Sequence, residues 1–194
     1  MNPHTLIPVE QRNGNDMKKT ATLLILFLTF IIFIATTSGS SSFPPDISAA
    51  IETKFKSMKV MGAEDMDKNE CDMIKGSNGL LRADFNGDGV DDFAVLLRSK
   101  NSHRRENGDL YRYQVVAFIS GKDKKHEPKV LTENEDFYPP ITFITIRKPG
   151  KIREFETGKT TAIKNPAIDL TYCGKSSVTY LWKGKKFSEI WTSD

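Results

Sequence analysis

The sequence predicts an α+β fold, mainly antiparallel β-sheet with one N-terminal amphipathic helix. Three observations carry that prediction. A helical apolar stripe is confined to residues 47–60, short β-branched and aromatic runs follow one another from Leu80 onward, and no helical pattern separates successive runs as a parallel crossover would require.

The helix is expected first. After the stretch SGSSSFPP, Asp46 is placed to cap a helix in which Ile47, Ile51, Phe55 and Met58 recur at steps of three and four and share one face. Strands are then expected at residues 80–83, 93–97, 113–119, 129–131, 141–146, 152–155, 167–172, 178–182 and 187–191, most of them bounded by Gly, Pro, Asn or Asp. The last two form the clearest hairpin, with Lys183, Gly184, Lys185 and Lys186 between VTYLW and FSEIW. Alternation there sets Val178, Tyr180 and Trp182 against Thr179 and Leu181, with one of the two faces expected on the core. Residues 100–109 and the Tyr138-Pro139-Pro140 stretch read as exposed loops, and no internal repeat is present.

The N-terminal segment bounds where such a domain works. Residues 21–35 carry no charge, follow Lys18 and Lys19, and give way to small polar residues, the layout of a signal peptide in residues 17–40. The alternative is a retained membrane anchor, which needs roughly 17 to 25 apolar residues. Met17 is an alternative start, leaving residues 1–16 as an upstream extension. Residues 41–45 then read as a linker and 46–194 as a single exported domain, periplasmic or extracellular, touching a membrane only through that first segment. Of the net charge of +3, the leader holds +1, leaving +2 for residues 41–194, too balanced to point to nucleic acid. Export also lets Cys71 and Cys173 pair. A bridge between them would close a loop of about 100 residues, for which the chain-entropy model gives about 4.7 kcal/mol.

One segment carries chemistry. Residues 84–92 read Asp-Phe-Asn-Gly-Asp-Gly-Val-Asp-Asp. Side-chain oxygens fall at loop positions 1, 3, 5 and 9 (Asp84, Asn86, Asp88, Asp92), glycine at position 6 (Gly89), and Val90 at position 7 offers a backbone carbonyl. Calcium takes six to eight hard oxygens, and the glycine permits the turn that brings position 7 round. Three carboxylates directed at one centre would repel one another without a cation, so calcium is the expected cofactor, in a structural rather than catalytic role. An EF-hand would need a glutamate at position 12, where this chain has Val95.

With strand-like runs on both sides, the loop resembles the DxDxDGxxD calcium loops of the FG-GAP and VCBS repeat families. That resemblance covers residues 80–97 and implies calcium ligation by Asp84, Asn86, Asp88, Val90 and Asp92. A single copy cannot build the propeller that several copies make. More loosely, the region after the leader is similar to single-copy bacterial exported proteins of unknown function that pair a DFNGD-type loop with a C-terminal segment like SSVTYLWKGKKFSEIWTSD.

Other motifs fall short. Gly158-Lys159-Thr160 and Gly174-Lys175-Ser176 imitate the end of a phosphate loop, but the required earlier glycine is replaced by Arg153 and Asp169. His103 and His126 lie in charged, loop-like stretches. Glu133, Glu135 and Asp136 form an acidic cluster, the nearest approach to a paired-carboxylate hydrolase. The sequence therefore favours a non-enzymatic binding or interaction domain of the cell envelope, its partner a protein or a glycan. The alternatives are an envelope hydrolase acting on glycan or peptidoglycan, or a small inhibitor-type protein.

Overall fold

The computed structural model describes residues 43–66, 79–106, 108–137 and 141–193, the side chains of Ala63, Asp136 and Phe137 excepted. All of them belong to the compact unit Phe43–Asp194. The apolar run 21–35, Cys71 and the Tyr138-Pro139-Pro140 stretch lie outside the described residues. Among those described, no helix is long and apolar enough to cross a membrane.

The fold is mostly antiparallel β-sheet with a single α-helix, as the sequence predicts. In chain order the elements are α1 (Pro45–Lys54), β1 (Met58–Val60), a 3-10 turn (Ala63–Asp65), β2 (Leu80–Ala83), β3 (Asp92–Ser99), β4 (His103–Arg105), β5 (Gly108–Ser120) and β6 (His126–Phe137). Then come β7 (Thr142–Arg147), β8 (Gly150–Arg153), β9 (Thr160–Ile163), β10 (Ala167–Tyr172), β11 (Ser177–Lys183) and β12 (Lys186–Ser193).

The helix is shorter than its stripe predicts. It ends at Lys54, and Met58–Val60 instead pair with Ser99–Leu97 of β3. There Met58 is buried and its backbone joins the ladder, so tertiary pairing overrides a weak helical period. Its N-cap is Pro44 with Pro45 at the first helical position, and Asp46, expected as the cap, bonds elsewhere. Three further expectations are corrected. Residues 100–109 contain β4 and the start of β5, so His103 stands on a strand. The Gly158-Lys159-Thr160 segment leads into β9, which the sequence reading missed. The Glu133, Glu135 and Asp136 cluster belongs to the long strand β6 rather than to a loop.

Two sheets form the body. In the first, β3 pairs with β5, β5 with β4 and β6, and β1 and β2 pair with separate stretches of β3. In the second, the order is β12-β11-β10-β7. Alternate residues of the central strands enter different cores. Ala94 and Leu96 of β3, with Val115, Ala117 and Ile119 of β5, meet Ile144, Ile168, Leu170, Val178 and Tyr180 of the second sheet. Phe93, Val95, Leu97, Val116 and Phe118 turn the other way, against Ile47 and Met58, with Ile51 and Phe55 packed on. This is why FAVLL reads as an unbroken apolar run: both of its faces are covered.

The second sheet is also covered twice. Val178 and Tyr180 enter the shared core, while Leu181 on the opposite face packs with Ile152 and Ile163 of the β8–β9 hairpin and with Ala167. The expectation of a single buried face on the last hairpin is corrected accordingly. Beside this second core, Arg147 grips Asp169 through Nε to Oδ1 at 2.8 Å and Nη2 to Oδ2 at 2.8 Å, and the Thr179 hydroxyl donates to Asp169 Oδ1 at 2.6 Å.

The 3-10 turn is tied to β3 by charge. Asp65 is 2% exposed and accepts from Arg98 Nε at 3.0 Å and Nη2 at 2.8 Å, with Lys59 Nζ 2.9 Å away and the Gly62 N–H at 3.1 Å. Burial alone would raise its pKa, but Arg98, Lys59 and Gly62 together outweigh burial and hold the carboxyl below the usual range. A depressed carboxyl contributes stability that is present above the unfolded-chain value near 3.8 and lost as pH falls through the folded value. Replacing Asp65 by Asn is expected to destabilise the protein at pH 7 and to flatten its loss of stability below about pH 4, measured by urea unfolding across pH. Phe118→Ala, which empties a fully buried site beneath the helix, is expected to cost about 3 to 5 kcal/mol in the same assay.

Candidate functional site

Residues 84–92 connect β2 to β3, whose pairing runs from Leu80 opposite Val95 to Ala83 opposite Asp92. The loop is bent by left-handed backbone at Gly87 (φ 80°) and Gly89 (φ 84°), a conformation that L side chains rarely adopt. Gly87 is also closely approached: a Cβ there would lie 2.4 Å from Asn165 Nδ2.

The loop oxygens collect backbone donors in a definite pattern. Asp84 Oδ1 accepts from the N–H groups of Gly87 at 2.6 Å and Asp88 at 3.1 Å, and Oδ2 from Gly89 at 2.9 Å. Asn86 Oδ1 accepts from the Asp88 N–H at 2.8 Å, and Asp88 Oδ1 from the Val90 N–H at 2.8 Å. The Val90 bond is the main reason that the Asp88 carboxyl sits below the usual aspartate range. Asp88 Oδ2 takes the Asn86 carboxamide at 3.0 Å and the Ser120 hydroxyl at 2.9 Å.

Asp92 differs from these. It has no exposed surface, and four polar groups lie within hydrogen-bond distance of its two oxygens. Oδ2 accepts from Phe85 N–H at 2.8 Å and Asn86 N–H at 3.0 Å, and Oδ1 from Ser120 N–H at 2.7 Å, with Ser120 Oγ 2.8 Å away and sharing its one proton between this oxygen and Asp88 Oδ2. Burial pushes its pKa up, and the bonds from Ser120, Asn86 and Phe85 pull against that rise. Three backbone N–H groups point at this carboxyl, and the Ser120 hydroxyl, with one proton to share between Asp88 Oδ2 and Asp92 Oδ1, is its fourth polar neighbour.

By the count of two acceptor positions per oxygen, Asp84 Oδ2, Asn86 Oδ1 and Asp88 Oδ1 each keep one position unfilled by described residues. Among the described residues, no group of three or more His, Cys, Asp or Glu side chains is gathered closely enough to hold a metal ion. The structure thus brings Asp84, Asn86 and Asp88 to one loop surface with part of their oxygen free, and turns Asp92 inward to hold the loop on the end of β5.

A second contact, unforeseen in the sequence, braces the same region. His126, whose side chain is 8% exposed, opens β6; its backbone N–H and Nδ1 lie 2.8 and 2.9 Å from Asp46 Oδ2, and its Nε2 lies 3.1 Å from the Asp91 carbonyl. The ring also meets Phe93 edge-on at 5.4 Å. Helix and loop are joined through one imidazole. Burial alone would raise the pKa of Asp46, but His126 outweighs it and the carboxyl is lowered. No sequence signal could have paired residues 46 and 126, since the link depends on β6 passing the helix N-terminus. Asp91 pairs with Arg82 on the β2 side.

The remaining sequence candidates are dispersed. Glu133 lies 3.4 Å from Arg112 and accepts from the half-buried Gln114 at 2.8 Å, while Glu135 lies 3.6 Å from Arg105; the charged partners are exposed on strands β4 to β6. Gly158 and Gly174 sit in turns with positive φ. Cys173 is half-buried against the main core, its N–H bonded to the Ile141 carbonyl at 3.0 Å. The chain matches no protein-family model, no curated protein and no solved structure.

The Asp92 geometry makes a sharp prediction. Asp92→Asn keeps the shape but turns an NH2 donor toward two donors, leaving buried groups unpaired, and is expected to cost about 2 to 4 kcal/mol in urea unfolding.

Proposed function

We propose that this chain is an exported, non-catalytic binding domain whose 84–92 loop takes calcium as a structural element. The observation that carries the reading is the set of unfilled acceptor positions on Asp84 Oδ2, Asn86 Oδ1 and Asp88 Oδ1, at alternate residues of a loop bent by Gly87 and Gly89. Those three side chains and the Val90 carbonyl would hold the ion, with water completing the six to eight oxygens that calcium takes. Asp92 would serve as a support, because its oxygens are already engaged with Phe85, Asn86 and Ser120. The likeness of residues 80–97 to FG-GAP and VCBS loops supports the same ion. Export is supported by the apolar run at 21–35 with its flanking lysines and by a cysteine pair, Cys71 and Cys173, that an oxidising compartment would close.

What the domain meets is supported by its surface. Phe155 and Trp191 are 56% and 42% exposed, and the Phe155 N–H donates to the Trp191 carbonyl at 2.8 Å, so two large aromatic residues lie on adjoining backbone. Exposed aromatics on neighbouring backbone are common material of binding surfaces.

A cation that binds only the folded chain stabilises it by mass action, about 2.7 kcal/mol at a hundred times its Kd. For a domain of this size that is a rise in Tm of roughly 5 to 11 °C. Melting curves in calcium and in chelator are expected to differ by that order, and Asp88→Ala to abolish the difference while leaving the chelator curve close to wild type. Superimposable curves would reduce the loop to a hydrogen-bonded connector.

A further inference from the structure

We propose that the cavity of about 360 Å³ between the 84–92 loop and the β11–β12 hairpin is a binding site for an anionic sugar unit, a hexose ring carrying a carboxylate or a phosphate. The proposal rests on reading the chain as a binding domain and names the ligand class of one site on it. Three segments that are distant in sequence form the walls: Phe85 and Asn86 from the loop, Lys164 and Asn165 from the β9–β10 connection, and Trp182 and Lys183 from the end of β11. The volume lies in the range of small-molecule sites, and the mixture of apolar walls with a few polar groups is their usual composition.

The charge of the ligand follows from what lines the cavity. Two lysines do and no aspartate or glutamate does. Neither Lys164 nor Lys183 forms an ion pair with a described residue, and both are exposed. Two uncompensated cations beside one concave surface favour a single negative group there. The ring follows from the other walls. Asn165 is half-buried, and its carboxamide, two donors and an acceptor, bonds to no described residue. Such a group matches neighbouring hydroxyls. Trp182, half-buried against the main core and set edge-on to Phe187 at 5.1 Å, also lines the cavity and adds apolar surface suited to the C–H face of a sugar.

Elsewhere the surface argues less for one ligand. A larger cavity of about 600 Å³ between β6 and β12 has Glu189 in its wall beside Lys185 and Lys186, and a Lys129 already paired with Glu127 at 3.1 Å, so it presents both signs. Nothing in the structure says what covers Phe155 and Trp191.

The test is a titration of the full exported domain, followed by NMR at the Trp182 indole and the Asn165 carboxamide, with glucuronate, glucose 6-phosphate, glucose and inorganic phosphate as probes. Saturable shifts at both positions are expected with at least one charged sugar, at a Kd at least tenfold lower than that for glucose. The double variant Lys164→Gln, Lys183→Gln, confined to exposed side chains, is expected to erase that tenfold preference. The two charged sugars separate carboxylate from phosphate as the source of the anion. Absence of saturable shifts with both charged sugars overturns the proposal, as do glucose binding as tightly as either and inorganic phosphate alone matching them. Each titration is run in calcium and in chelator. Binding in either condition supports the site and absence in both overturns it, while the melting curves decide the calcium reading separately.

Discussion

The structure depends on one buried carboxylate. Removing the Asp92 charge from water carries a desolvation penalty of several kcal/mol that only donors placed around it can offset. The groups around it come from two places remote in sequence, the N–H groups of Phe85 and Asn86 at the start of the loop and the N–H and hydroxyl of Ser120 at the end of β5. Each one lost would leave that buried group less compensated. The β2–β3 connection is therefore fastened to the central sheet at the edge where β3 begins, and the register of Phe93 opposite Phe118 and Ala94 opposite Ala117 follows from that anchor. Because a one-residue slip would exchange the two faces of the sheet, the anchor also decides which residues meet the helix and which meet the second sheet.

Around that anchor the chain solves a covering problem. Both central strands of the first sheet are apolar on each face, so each face needs its own lid: the second sheet on one side, α1 on the other. Strand β11 repeats the arrangement with the β8–β9 hairpin as its outer cover. Among the described residues, the large apolar side chains left outside are Val130, Ile146, Phe155 and Trp191, where no cover reaches. An exposed surface that consists of such remnants and a lysine-lined cavity has the materials for contact with another molecule.

Much of this was legible in the residues. Strands β2 and β10 fall at the expected bounds, because Gly, Asn and Pro punctuate their ends and short apolar runs lie between. What the sequence could not convey was two-sided burial. Alternation separates Tyr180 from Leu181 but does not say that a hairpin formed by residues 150–163 will cover Leu181. The helix was overextended because Met58 fits a helical step from Phe55 as well as it fits a strand beside Ser99, and only the partner strand decides between them. Strand β6 was read as a short run and an acidic loop, since Glu133 and Glu135 are poor strand formers held there by pairing with Gln114 and Arg112. Within the loop the spacing of oxygens was plain, yet the inward turn of Asp92 was not, because it depends on Ser120, twenty-eight residues away.

Loop and cavity are one object at Asn86. Its backbone N–H holds Asp92, its carboxamide spans Asp88 and the Ser120 hydroxyl at 3.0 and 3.2 Å, and the same residue lines the cavity beside Asn165. Gly87 next to it has no room for a side chain, because Asn165 occupies the space. Whatever orders Asp84 to Asp88 therefore also sets one wall of the cavity. Two ligands that each prefer the ordered loop must raise each other's affinity by the same factor, since linkage between binding free energies is reciprocal. A cation at the loop and an anionic ring in the cavity would be coupled in that way even without touching, and the coupling would vanish if Asn86 kept its position equally well in their absence. The strength of that coupling is bounded by how much of the loop's order Asp92 already enforces: the better the buried carboxylate holds the loop, the less either ligand can gain from the other.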